Sequence, residues 1–142
     1  MKSAISFITL GVNDLETAKA FYIDKFGWTP IKDSEGIVFF KLNGIILSLF
    51  PQAELADDAS VVMHREGGFK GFTLAICLNS EEEVNATFED LIKKGVTIVV
   101  PPQKVFWGGY RGYVEDLEKN IWEIAYNPFL ELDSEGNVIS HQ

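Results

Sequence analysis

Phe7-Ile8-Thr9-Leu10-Gly11-Val12-Asn13-Asp14-Leu15 changes its hydrophobic period partway along, and that change decides the fold. Up to Val12 the residues alternate as a strand does. Phe7, Thr9 and Gly11 share one face, and Ile8, Leu10 and Val12 the other. Asn13-Asp14 then supplies a helix N-cap. Leu15, Ala18, Tyr22 and Phe26 recur at helical spacing until Gly27 ends the helix. Three short strand-like runs follow, at 28–32, 37–42 and 45–50. Asn43-Gly44 joins the last two as a tight hairpin, and Pro51 closes the series.

The same order returns further along. Residues 72–78 read as a strand and Asn79-Ser80 as a cap. Val84, Phe88, Leu91 and Ile92 form the apolar face of a helix that Gly95 stops. A strand at 96–100 is expected to end at Pro101-Pro102, and 110–115 pairs with 121–126 as a hairpin. Phe7 falls on Phe72, Asp14 on Ser80, Gly27 on Gly95 and Ser48 on Glu123, with an offset that grows as loops lengthen. The expected fold is α+β: two βαβββ modules, 4–51 and 72–127, paired into curved mixed sheets around a cleft. Residues 52–71 form an inter-module loop long enough for the modules to pair between chains, giving a module-swapped homodimer. Residues 128–142 read as a polar tail with a short final strand.

At 142 residues this is one domain's worth of chain. With 12 Lys+Arg against 21 Asp+Glu, the formal net charge of −9 argues against a general grip on nucleic acid or anionic membranes. Such a field suits a neutral or cationic small molecule. No apolar run approaches the length of a spanning helix, and the start carries no export signal. The single cysteine, Cys77, offers no internal disulfide. A cytoplasmic location is therefore expected.

Four stretches carry a family resemblance: the opening motif with its continuation Ala20-Phe21-Tyr22; Gly71-Phe72-Thr73-Leu74-Ala75-Ile76; Tyr113-Val114-Glu115-Asp116; and Ile121-Trp122-Glu123-Ile124. Together with the duplicated element order, they resemble the vicinal oxygen chelate superfamily of glyoxalases, bleomycin-resistance proteins and dioxygenases. The family's Asp-Pro-Asp-Gly turn is replaced by Asp116-Leu117-Glu118-Lys119, which predicts a less tightly specified hairpin. In metal-dependent members the resemblance implies one divalent ion held by four strand side chains. The matching positions here are Phe7, Ser48, Phe72 and Glu123. One carboxylate and one hydroxyl do not make the roughly three protein donors such an ion needs. No metal and no cofactor are therefore expected. His64 lies in the loop and His141 in the tail, and a site rebuilt from His64, Glu66 and Glu123 is the weaker alternative.

Phenylalanines in ligand positions turn a polar floor into an apolar one. Strand alternation assigns Phe7, Thr9, Ile46, Ser48, Phe50, Phe72, Leu74, Ile121 and Glu123 to the cleft face. Phe106, Trp107, Tyr110 and Tyr113 gather around Gly108-Gly109 at its expected mouth. Such a lining suits a small organic ligand. The expected binding residues are Phe7, Ser48, Phe50, Phe72, Trp107, Tyr110 and Arg111, although the aromatics also read as plain core. Glu123, costly to desolvate there, reads as anchor for a cationic guest or as a general base. Arg111 is expected to point outward into solvent; turned inward it would hold an anion. Trp122 alternates away from Glu123 and should pack beneath a helix, and Cys77 reads as an inert buried thiol. Three functions follow: a metal-free binding protein of the bleomycin-resistance type, a glyoxalase-like lyase or isomerase using Glu123 or a non-standard metal site, and an interaction module with a self-filled cleft.

Overall fold

The computed structural model describes residues 1–63 and 67–142, with 32–34 described by backbone alone. His64 and Glu66 lie outside the described residues. The chain divides into two compact units, Met1–Gly68 and Phe69–Gln142.

The first unit runs β1 (Phe7–Val12), α1 (Leu15–Asp24), β2 (Pro30–Ser34), β3 (Ile37–Lys41), β4 (Ile46–Pro51) and α2 (Gln52–Asp58). Its sheet has the order β1-β4-β3-β2, with β1 parallel to β4 and the other pairs antiparallel. Asp14 caps α1 by accepting a hydrogen bond from Thr17 N at 2.9 Å, which lowers its own pKa. Gly27 ends the turn at φ 73°, a conformation other residues adopt only with strain. Leu10, Val12, Val38, Phe40, Leu47 and Leu49 are buried on the α1 side of the sheet, against Ala18, Phe21 and Tyr22. Trp28 stacks on Tyr22 with centroids 5.6 Å apart and joins this core. The expected featureless loop after β4 begins instead as α2. None of its residues is buried, so no apolar periodicity marked it.

The second unit repeats the order with β5 (Leu74–Leu78), α3 (Glu81–Lys93), β6 (Thr97–Lys104), β7 (Tyr110–Glu115) and β8 (Ile121–Tyr126), in a sheet ordered β5-β8-β7-β6. Val84, Phe88 and Leu91 are the buried face of α3, while Ile92, expected among them, is 57% exposed. Trp122 packs with Val114 and Ile124 on the α3 side, as alternation predicts. The strand expected to stop at Pro101-Pro102 continues to Lys104. β6 is an edge strand, where a missing N–H donor is tolerated, and its register against β7 shifts on both sides of Val100. The tail is more than one short strand: β9 (Leu130–Leu132) and β10 (Val138–His141) form an antiparallel hairpin.

The β7–β8 turn departs from its expected looseness. Asp116 and Asn120 are both buried. Asp116 Oδ1 accepts from the backbone N–H of Glu118 and Asn120, and its Oδ2 accepts from Asn120 Nδ2. Lys70 Nζ donates to Asn120 Oδ1 and to the Glu118 carbonyl. Lys119 sits at φ 62° in the position where the family's turn has glycine.

Among the described residues, no helix is long and apolar enough to cross a membrane.

Candidate functional site

In each unit the sheet face opposite the long helix carries the residues of chemical interest. In the first unit this face holds Phe7 and Thr9 from β1, Ile46, Ser48 and Phe50 from β4, and Phe39 from β3, set by the pairs Phe7↔Ile46, Thr9↔Ser48 and Phe39↔Ser48. Phe7 and Phe39 meet edge to face at 6.2 Å. Phe7 remains 53% exposed, whereas Ser48 is 1% exposed and shares a hydrogen bond with the Thr9 hydroxyl. Phe50 is half-buried beside them. Over the Gly11 end of the same face lies Gln52, so close that a Cβ on Gly11 would stand 3.2 Å from its side chain.

In the second unit Tyr113 lies directly opposite Glu123, Arg111 opposite Ala125, Ala75 beside Glu123 and Cys77 beside Ala125. All six therefore share the face opposite α3. The Tyr113 hydroxyl donates to Glu123 Oε2 at 3.3 Å. The Arg111 guanidinium carbon lies 5.4 Å from the Tyr113 ring centroid, a cation–π contact. Burial, then the charge and hydrogen bond of Glu123, raise the Tyr113 pKa, while Arg111 works in the opposite direction. Burial and the Glu123 charge also raise the pKa of the Cys77 thiol, which keeps it protonated and a poor nucleophile. Arg111 Nη1 is buried and has no hydrogen-bond partner among the described residues.

Several expectations need correcting. Arg111 is not an outward, solvated charge, because its alternation with Tyr113 turns it onto the Glu123 face. Leu74 pairs with Trp122 and belongs to the α3 side, not with Glu123. Phe72 precedes β5 by two residues, and the registers Thr9↔Ser48 and Ala75↔Glu123 make Thr73, not Phe72, the counterpart of Phe7. Tyr110 alternates with Gly112 and Val114 onto the α3 side, where its hydroxyl donates to Asn85 at 2.6 Å. Trp107 lies in the β6–β7 loop with its ring over Gly109, and Phe106 is fully exposed. Thr9, Phe39, Tyr113 and Cys77 were absent from the expected binding set; the strand pairing across β7 and β8 was the signal for Tyr113.

The positions that match the family's metal ligands carry few donors. In the first unit they are Phe7, which has no donor, and Ser48, whose hydroxyl is already bonded to Thr9. In the second they are Phe72 or its register-corrected neighbour Thr73, and Glu123, which accepts from Tyr113. In neither unit do the residues at these positions offer more than one carboxylate, a poor donor set for a divalent ion, so these positions do not fit one.

Two α+β units, each an unclosed four-stranded mixed sheet with parallel first and last strands, define the glyoxalase-like class of fold. The sequence model of the Glyoxalase/Bleomycin resistance protein/Dioxygenase superfamily matches residues 4–124, and the chain belongs to that family. Among solved structures it is similar to a glyoxalase-related enzyme from Fulvimarina pelagi, at 33% identity and a TM-score of 0.88, over 99% of this chain and 100% of that one. It is also similar to a lactoylglutathione lyase from Agrobacterium tumefaciens, at 26% identity and a TM-score of 0.71, over 89% of this chain and 96% of that one. A glyoxalase/bleomycin resistance protein/dioxygenase from Nocardioides shares the fold at 23% identity and a TM-score of 0.80, over 100% and 91% of the two chains. No curated protein matches the chain.

Proposed function

We propose that this chain binds a small organic molecule without a metal ion, with Glu123 as its polar anchor. The observation that carries the reading is the Tyr113–Glu123 hydrogen bond on a sheet face shared with Arg111 and with the small or apolar Ala75, Cys77, Ile121 and Ala125. A half-buried carboxylate on such a surface favours a ligand group that donates hydrogen bonds or carries positive charge. The net charge of −9 favours the same class. Phe7, Phe39 and Phe50 give the first unit an apolar surface of its own. The protein acts as a homodimer, a reading supported by the exposure of Phe7 and Phe72 in the single chain. Free Cys77 accords with a cytoplasmic location.

Calorimetric titration with cationic aromatic probes tests the binding, with benzylamine as the simplest. Binding should weaken by about tenfold or more in Glu123→Gln, the scale expected for a hydrogen bond to a charged group. Equal affinity in the variant would remove Glu123 as anchor. Elemental analysis should find no stoichiometric divalent metal, and light scattering should give a dimer mass.

A second reading, a lyase or isomerase, draws on the similarity to the Fulvimarina pelagi and Agrobacterium tumefaciens proteins. Here Glu123 takes a proton from the substrate as general base, and Tyr113 orients its carboxylate. Turnover of the methylglyoxal–glutathione adduct that disappears in Glu123→Gln would favour this reading over simple binding.

A further inference from the structure

Arginine presents five N–H donors and no acceptor, so a buried guanidinium nitrogen without a partner carries the desolvation cost and none of the return. Arg111 Nη1 is in that condition. The residues paired with Arg111 on the flanking strands, Gln103 and Ala125, bring no carboxylate, and the hydrogen bond that Glu123 accepts comes from the Tyr113 hydroxyl. The cation–π contact with the Tyr113 ring, 5.4 Å from guanidinium carbon to centroid, keeps the fork on this face before anything binds.

We infer that Arg111 is the receptor for a carboxylate on the bound molecule, and that the ligand is bifunctional, with a carboxylate at Arg111 and a hydrogen-bond-donating or cationic group at Glu123. This rests on the binding role of Glu123 proposed above and names the chemistry of the other end of the ligand. The Arg111 guanidinium lies 5.4 Å from the Tyr113 ring centroid, and the Tyr113 hydroxyl donates to Glu123, so the two polar ends flank one tyrosine ring. A ligand of amino-acid or hydroxy-acid character, with its two polar groups on either side of a short apolar segment, suits that arrangement. A carboxylate is favoured over a phosphate because a dianion would be repelled by Glu123 on the same face and by the chain's net charge of −9 more strongly than a monoanion.

The test uses four probes on the intact chain: para-aminomethylbenzoate, benzoate, benzylamine and phenyl phosphate, titrated calorimetrically. Para-aminomethylbenzoate should bind tightest and phenyl phosphate weakest. Arg111→Gln should weaken both carboxylates by about tenfold or more and should not weaken benzylamine, because it removes a positive charge from the face that holds Glu123. Arg111→Lys, which keeps the charge but loses the planar fork, should fall between wild type and Arg111→Gln. In the wild type, benzoate should shift the Arg111 side-chain nitrogen resonances and benzylamine should not. That measurement decides the matter even if Arg111→Gln fails to fold. Carboxylate affinities indifferent to Arg111, with benzylamine still dependent on Glu123, overturn the carboxylate receptor and leave the binding reading standing. Phenyl phosphate binding as tightly as benzoate overturns the choice of carboxylate. No binding by any probe overturns both.

Discussion

Tyr113 and Glu123 face each other across β7 and β8, and the phenol hydroxyl donates to the carboxylate at 3.3 Å. Burial and the Glu123 charge hold the Tyr113 pKa above its ordinary 10.0. Removing the charge with Glu123→Gln should let Tyr113 ionise at lower pH, visible as earlier tyrosinate absorbance in an alkaline titration. The sign for stability follows from a folded-state pKa above the unfolded one. The stabilisation is complete below 10.0 and is lost as pH rises through the folded value. A titration identical in wild type and variant would show that the two groups are not coupled.

The β7–β8 turn hangs on Asp116. Its carboxylate takes three hydrogen bonds, two of them from backbone N–H groups. Asp116→Ala should destabilise the protein by about 1–3 kcal/mol in urea unfolding, because buried donors lose their acceptor. Lys119 at φ 62° predicts the opposite effect for Lys119→Gly, a gain of up to about 1 kcal/mol from relief of left-handed strain.

Gly112 and Gly109 should respond differently to alanine. At Gly112 a Cβ would stand 2.4 Å from Phe88 Cζ and 2.7 Å from the Val100 carbonyl, a collision with packed core and backbone. Gly112→Ala should cost about 1–3 kcal/mol. At Gly109 the collision is with the tip of the Trp107 ring, which can swing away. Gly109→Ala should therefore change tryptophan fluorescence with a smaller loss of stability.

Asp133 repeats the Asp116 arrangement in the tail hairpin. Its carboxylate accepts from Glu135 N, Asn137 N and Asn137 Nδ2. The Asn137 side chain leads the causes that lower the Asp133 pKa below 3.8. Hairpin stabilisation from this group is present above 3.8 and fades as pH falls through the lowered folded value. Asn137→Ala should raise the Asp133 midpoint in a carbon NMR titration, and an unshifted midpoint would show that the amide is not its partner.

Local signals were legible wherever a segment's own chemistry decides its conformation. The Asp14 and Ser80 caps, the Gly27 and Gly95 stops and the strand periods all appear in the structure. What was missed depended on neighbours. β6 runs through two prolines because it is an edge strand. Asp116 and Asn120 are specified by each other and by Lys70, fifty residues from Asn120, so the turn sequence looked weak alone. Leu74 was assigned to the wrong face because counting from Phe72 placed the strand one residue out of step, and a one-residue slip moves every side chain to the other side.

By itself the sequence determined the two βαβββ units, the helix ends and the family, since period and capping act over a few residues and survive without knowledge of partners. Tertiary structure decided the faces that alternation left open or counted out of step. It turned Arg111 toward Glu123, sent Tyr110 to Asn85 and buried Ser48 against Thr9. Those outcomes follow from strand pairing between distant segments. Pairing register is set by the packing of both strands together and is not encoded in either one.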